Sequence, residues 1–246
     1  MKGFEKYIPF VPQPIQNRTW PDNTITKAPI WCSVDLRDGN QALVDPMNVE
    51  EKLLLFHTLV DIGVKEIEVG FPSASETEFH FLRTLIEDGH IPDDVTIQVL
   101  VQARPHLIRR TFEAIEGCKH VIFHFYNSTS TLQRKVVFHT DVEGVQKIAT
   151  DAATMIYEMS QPMIAAGADI RYEYSPESFM GTEMDAADQI CDAVRSVPSS
   201  PSTPTTTGAP VSPLLRWVCW LAPTALRPPC SATVSAPATW IWSPWP

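Results

Sequence analysis

The string Val34-Asp35-Leu36-Arg37-Asp38-Gly39-Asn40-Gln41 sets carboxylates and a guanidinium beside a glycine. A carboxylate can hold a divalent metal and a guanidinium can stabilise an oxyanion, so Asp38 and Arg37 suit chemistry on a carbonyl compound. The plain alternative is a surface Asp-Gly turn with a local ion pair. Further along stand Glu68, Arg104, His124, Ser175 and Glu177. Each has its own plain reading. Glu68 is then a solvated or ion-paired group, Arg104 a helix-entry charge, His124 a satisfied core histidine, and Ser175-Pro176-Glu177 a turn.

The elements around these residues give them weight. Apolar strands are expected at 30–36, 65–69, 95–101, 120–126 and 169–174. Helices are expected between and after them. One starts at a capping box, Asn48-x-x-Glu51, and stops at Gly63; others cover 76–87, 105–116 and 142–165, and a last one covers 182–194, started by Thr182. Strands alternating with helices over short connections mean a parallel sheet covered by helices. A doubly wound sheet and a (β/α)₈ barrel both begin this way. Strand faces favour the barrel. Glu66 and Glu68 share one face of their strand; His120, Ile122, His124 and Tyr126 share one of theirs. Arg171, Glu173, Ser175 and Glu177 do so as well, if the strand continues past Pro176. A polar face suits a barrel lumen better than the centre of an open sheet. Five candidate sites, at Arg37/Asp38, Glu68, Arg104, His124 and Ser175/Glu177, then fall at the carboxyl ends of consecutive strands, where barrel chemistry sits. The fold class expected is α/β, an incomplete (β/α)₈ TIM barrel of about five units. No glycine-rich phosphate motif follows the first strand, which disfavours a doubly wound nucleotide-binding protein.

Composition bounds the partners. The 246 residues carry a net charge of −10, which argues against a broad basic surface for nucleic acid. Five cysteines show no C-x-x-C pair, so a reducing, cytoplasmic setting is expected rather than a disulfide scaffold or cysteine zinc site. No apolar run reaches the length of about 18 residues that a membrane span requires. The chain divides into an arm at 1–29 held extended by Pro9, Pro12, Pro14, Pro21 and Pro29, a partial barrel at 30–196, and a tail at 197–246. The tail holds 11 of the 22 prolines and 5 of the 7 tryptophans, with no Asp, Glu or Lys, so it is expected to be irregular.

The strings DLRDGNQAL, EIEVGFPSAS, LVQAR, HVIFHFYNSTS and YEYSPESF resemble the 2-isopropylmalate synthases of leucine biosynthesis, and the arm resembles their long form. The resemblance covers about residues 5–196. Arg-Asp-Gly alone also marks homocitrate and citramalate synthases and related acyl-CoA lyases. The resemblance implies an acyltransferase that condenses acetyl-CoA with 2-oxoisovalerate and then hydrolyses the thioester, in a homodimer. It implies that Asp38 is a ligand of a divalent metal (Mg, Mn or Zn) and that Arg37 polarises the ketone. His124, Ser175 and Glu68 would lie around the substrate. Glu177 would assist proton abstraction from the acetyl methyl.

The chain also departs from that family. The expected His-x-His metal ligands of a later strand are missing, since no histidine follows His139. The tail from Ser202 to Trp245, read one base out of frame with permitted codons, can give a string beginning HPHNDRGTGV, which resembles the absent part of the synthase. The tail is therefore expected to be an out-of-frame translation, and the chain a fragment that is inactive by itself. The alternatives are another condensing synthase of the same barrel group and a non-catalytic fragment.

Overall fold

Five strands lie side by side in the order in which they occur in the chain. The structure, a computed structural model, describes Lys6 and residues 30–197, so nearly all of the expected arm and tail lies outside the described residues. The strands are β1 (Cys32–Ser33), β2 (Glu66–Gly70), β3 (Thr96–Gln102), β4 (His120–Ser128) and β5 (Asp169–Glu177). All neighbours pair in parallel, in the order β1-β2-β3-β4-β5. The intervening helices are α1 (Val49–Asp61), α2 (Glu76–Glu87), α3 (Pro105–Ile115), α4 (Thr131–Gln133), α5 (Val142–Ala165) and α6 (Met184–Arg195). A doubly wound sheet reverses its strand order at a switch point. No reversal occurs among the described strands. Sequential order with a helix after each strand is the wall of a β/α barrel, five units of which are described.

Local chemistry sets the helix starts. Asn48 accepts from the Glu51 N–H while the Glu51 carboxylate accepts from the Asn48 N–H, so the expected capping box is formed. Ser75 caps α2 through the Glu78 N–H and Asp141 caps α5 through the Gly144 N–H. Pro105 opens α3, where its missing N–H costs nothing.

Three elements differ from the sequence reading. The first strand is two residues long, not seven, because the chain rolls up after Val34. Its carbonyl accepts from the N–H groups of Arg37, Asp38 and Gly39, which winds Asp35–Gly39 into a π-helical turn. The last strand continues through Pro176 to Glu177, and as the outermost described strand it tolerates a residue with no N–H. Thr182 does not start α6. Its hydroxyl is held by Thr129 Oγ1 at 2.8 Å, and Glu183 takes the cap position instead.

The two sheet faces separate by chemistry. Ile67, Val69, Ile97, Val99, Val101, Val121, Phe123, Phe125, Ile170 and Tyr174 form one apolar cluster with the buried side chains of α1, α2, α3, α5 and α6. This outer face carries the hydrophobic stabilisation, at about 25 cal/mol per Å² of apolar surface removed from water. The inner face holds Glu66, Glu68, Gln98, His124 and Glu173, all buried. Burying charges is costly unless they are paired, and here Arg171 Nη1 lies 2.6 Å from Glu66 Oε1.

Candidate active site at the carboxyl ends of the strands

The π-helical turn after β1 sets Arg37 and Asp38 over the end of the sheet. Arg37 is clamped from two sides. Its Nε and Nη2 each lie 2.8 Å from Glu68 Oε2, and its Nη1 lies 2.5 Å from Asp38 Oδ1. A guanidinium carries five N–H donors, so two remain for a ligand.

Glu68 is fully buried at the middle of β2. Its second oxygen, Oε1, receives His124 Nδ1 at 3.2 Å and Gln98 Nε2 at 3.3 Å. Burial pushes this carboxyl up, but the hydrogen bond and charge of His124 and then of Arg37 outweigh it and hold it below the usual carboxylate range. An ionised carboxylate only accepts, so a proton on His124 Nδ1 is directed at Glu68 Oε1, and Gln98 Nε2, 3.2 Å from the same ring nitrogen, turns its amide hydrogens to Glu68. The other ring nitrogen, Nε2, faces Ser175 Oγ at 2.8 Å. Burial pulls His124 down, while the charge of Glu173 and the hydrogen bond to Glu68 lift it by more, so its basicity is raised. Glu173 lies beyond, with Oε1 3.7 Å from His124 Nε2, an ion-pair separation rather than a hydrogen bond. Burial raises the Glu173 carboxyl. The Cys32 thiol, 3.7 Å from Gln98 Oε1, is pushed far up by burial and by the charges of Glu68, Glu173 and Glu66, which disfavours its thiolate.

Strand register delivers the rest. His124 pairs with Glu173, Tyr126 with Ser175 and Ser128 with Glu177 across β4 and β5. Ser128 therefore lies beside Glu177, and its hydroxyl donates to Glu177 Oε2. The chain reverses after Glu177 through Ser178, whose φ of 59° is in the left-handed region. This turn presents Phe179 and Met180 to the same space.

A cavity of about 660 Å³ opens here. Arg37, Asp38, His124, Ser175 and Glu177 line it, along with Gln41, Tyr126 and an apolar wall of Phe71, Leu100, Phe179 and Met180. Five of the sequence-derived candidates thus meet around one space. Glu68 does not line it but sits behind Arg37 and His124, holding both. Arg104 is exposed at the start of α3 and lies off the cavity. Sequence reasoning left Gln98, Ser128 and Glu173 without a role in the site. The signal for Gln98 was a polar residue on the lumen-facing register of an otherwise apolar strand. Among the described residues no group of three or more His, Cys, Asp or Glu side chains is placed to hold a metal ion. No described helix is long and apolar enough to cross a membrane.

The sequence profile of the HMGL-like family matches residues 28–210. The chain belongs to the HMGL-like family. Its relatives include a 2-isopropylmalate synthase of Rhizobium johnstonii, 60% identical over 192 residues, or 78% of this chain and 34% of the relative. The Clostridium acetobutylicum 2-isopropylmalate synthase is 57% identical over 194 residues, 79% of this chain and 35% of the relative. This HMGL-like chain spans about a third of the length of the curated relatives it matches. Among solved structures, an HMG-CoA lyase from A. baumannii, in complex with coenzyme A and 3-methylmalate, superposes with a TM-score of 0.50 at 16% identity. It covers 69% of this chain and 53% of its own. At that identity the likeness concerns the fold, and it agrees with the barrel wall described above.

Proposed function

We propose that the cavity is the 2-oxo acid end of a 2-isopropylmalate synthase site, where acetyl-CoA, 2-oxoisovalerate and water give 2-isopropylmalate and coenzyme A. The observation that carries this reading is the meeting of Arg37 and Glu177 around one cavity with an apolar wall. The two uncommitted N–H groups of Arg37 suit the oxygen that gains negative charge as the ketone is attacked. Ser128 occupies one oxygen of Glu177 and leaves the other to take a proton from the acetyl methyl. Ser175, seated on His124, offers a hydroxyl to a substrate oxygen. Leu100 and Phe71 suit a branched alkyl group. Arg37 is the one lysine or arginine among the described lining residues, which favours a substrate with a single carboxylate over 2-oxoglutarate. The HMGL-like relatives named above as 2-isopropylmalate synthases support the same choice.

The described residues do not by themselves fit a divalent metal. Asp38 is a lone carboxylate, and it is already bound to Arg37. One carboxylate with water is a poor site, so the chemistry above is assigned to side chains alone.

Thiol release from acetyl-CoA tests the proposal. It is measured with 2-oxoisovalerate, 2-oxoglutarate or pyruvate, in this chain and in a chimera lengthened with the remainder of a relative. The chimera is expected to release thiol faster when 2-oxoisovalerate is added, and this chain to show no such dependence on the 2-oxo acid. A chimera that prefers 2-oxoglutarate or pyruvate would remove the named substrate.

A further inference from the structure

Ser175, His124 and Glu68 stand in a second relationship that the condensation does not require. Ser175 Oγ lies 2.8 Å from His124 Nε2, and His124 Nδ1 lies 3.2 Å from Glu68 Oε1. This is the geometry of a nucleophile, its base and the carboxylate that orients the base. With its proton on Nδ1, directed at the Glu68 carboxylate, a neutral His124 presents its lone pair at Nε2, on the side of the serine. Both Ser175 and His124 face the cavity, and so does Arg37 with two spare donors. Glu173 adds an independent sign. Its buried Oε1 has no hydrogen-bond partner among the described residues and lies beside His124 Nε2. An orphaned buried carboxylate oxygen calls for an explanation. At this position it stabilises an imidazolium when one forms.

We propose that Ser175, His124 and Glu68 act as an acyl-transfer triad, and that the chain hydrolyses small thioesters and esters through an acyl-Ser175 intermediate. Ser175 Oγ attacks the acyl carbon as its proton passes to His124 Nε2, and the carbonyl electron pair becomes an oxyanion facing Arg37. Collapse breaks the carbon–sulfur or carbon–oxygen bond, and the leaving group takes the proton from His124. Water then attacks the acyl carbon, giving its proton to His124. Breakage of the Ser175 ester returns that proton to Oγ and releases the carboxylic acid. Ser175 and His124 are the catalytic residues. Glu68 and Glu173 position and charge-balance the imidazole. The reaction needs neither a 2-oxo acid nor a metal, so it stands apart from the condensation.

A fluorophosphonate, which bonds to base-activated serines, reads this out in the chain as it exists, with excess EDTA and no 2-oxo acid. One adduct per chain on the peptide carrying Ser175 is expected, together with an initial burst of product from p-nitrophenyl acetate. Ser175→Ala should lose both. His124→Gln, checked for folding by circular dichroism, should slow labelling by about 10²-fold or more. No adduct at Ser175 in the unaltered chain overturns the proposal, whatever the variants do, and so does a folded His124→Gln that labels at the original rate. A chimera whose thiol release does not depend on 2-oxoisovalerate, with Ser175 labelling intact, would sink the condensation reading alone.

Discussion

Glu68 Oε1 reaches His124 Nδ1 at 3.2 Å while the other oxygen of the same carboxylate holds Arg37, so one fully buried side chain sets the direction of two cavity groups. Glu68→Gln keeps the shape and removes the charge. It leaves a guanidinium and an imidazole sharing one neutral amide, and breaking a buried pair costs about 3–5 kcal/mol. The expected result is a loss of that order in urea unfolding, with a fall in the His124 pKa by NMR. A His124 titration unchanged by Glu68→Gln would contradict the arrangement.

Stability should depend on pH through the same groups. Glu68 is depressed in the folded state, so its contribution is present above its unfolded value of 4.5 and is lost as pH falls through the folded pKa. His124 is raised, so its contribution is full below 6.5 and is lost as pH rises through the folded pKa. Glu173 is raised, so the folded state loses stability from 4.5 upward until Glu173 is ionised. The three together place the greatest stability from this network near pH 4.5, with a fall above it through Glu173 and a further fall above 6.5 through His124. Unfolding midpoints from pH 4 to 9 check it, and the fall above 6.5 should flatten in His124→Gln.

Arg37 has a planar demand. Two of its nitrogens meet one oxygen of Glu68 and a third meets Asp38. The point charge of a lysine cannot serve both carboxylates and a ligand at once. In the lengthened chimera Arg37→Lys should lower the rate by about 10²-fold or more, judged by kcat rather than by KM.

Outside the lumen, Lys52 of α1 is fully buried, paired with Glu78 of α2 and set over the ring of Phe81. Lys52→Met should destabilise by about 3–5 kcal/mol, because Glu78 keeps its charge without a partner. The double variant Lys52→Met, Glu78→Leu should recover much of the loss in a urea double-mutant cycle.

Gly70 ends β2 with φ +148°, and a Cβ added there would lie 2.0 Å from Glu78 Oε2. Gly70→Ala must therefore move the carboxylate that Lys52 holds. A loss of about 1–3 kcal/mol is expected from the backbone conformation, before the clash is counted. A variant as stable as the parent would show that the end of β2 can shift freely.

Much of this architecture was legible in the chain. Period-2 alternation put Glu66 and Glu68 on one face of β2 and Arg171, Glu173, Ser175 and Glu177 on one face of β5, and both faces prove to look inward. The capping box at Asn48 and the full span of α5 follow from local rules that need no distant partner. Strand order was different. A strand's own residues do not state its neighbours, so the sequential order that separates a barrel wall from a doubly wound sheet appears only in the pairing. The short β1 and its π-helical turn likewise depend on how the Val34 carbonyl is shared.

Residue types and spacing alone named Arg37, Asp38, His124, Ser175 and Glu177, because strand ends are local features. The sequence could not say that Glu68 stands behind the cavity instead of lining it, or that Gln98 and Glu173 complete the cluster. Those facts rest on contacts between residues 26 to 56 positions apart, such as Gln98 with His124 and Glu68 with His124. Whether a buried carboxylate binds substrate or steers an imidazole is decided by which side chains the sheet register sets beside it, and register is a property of the folded chain.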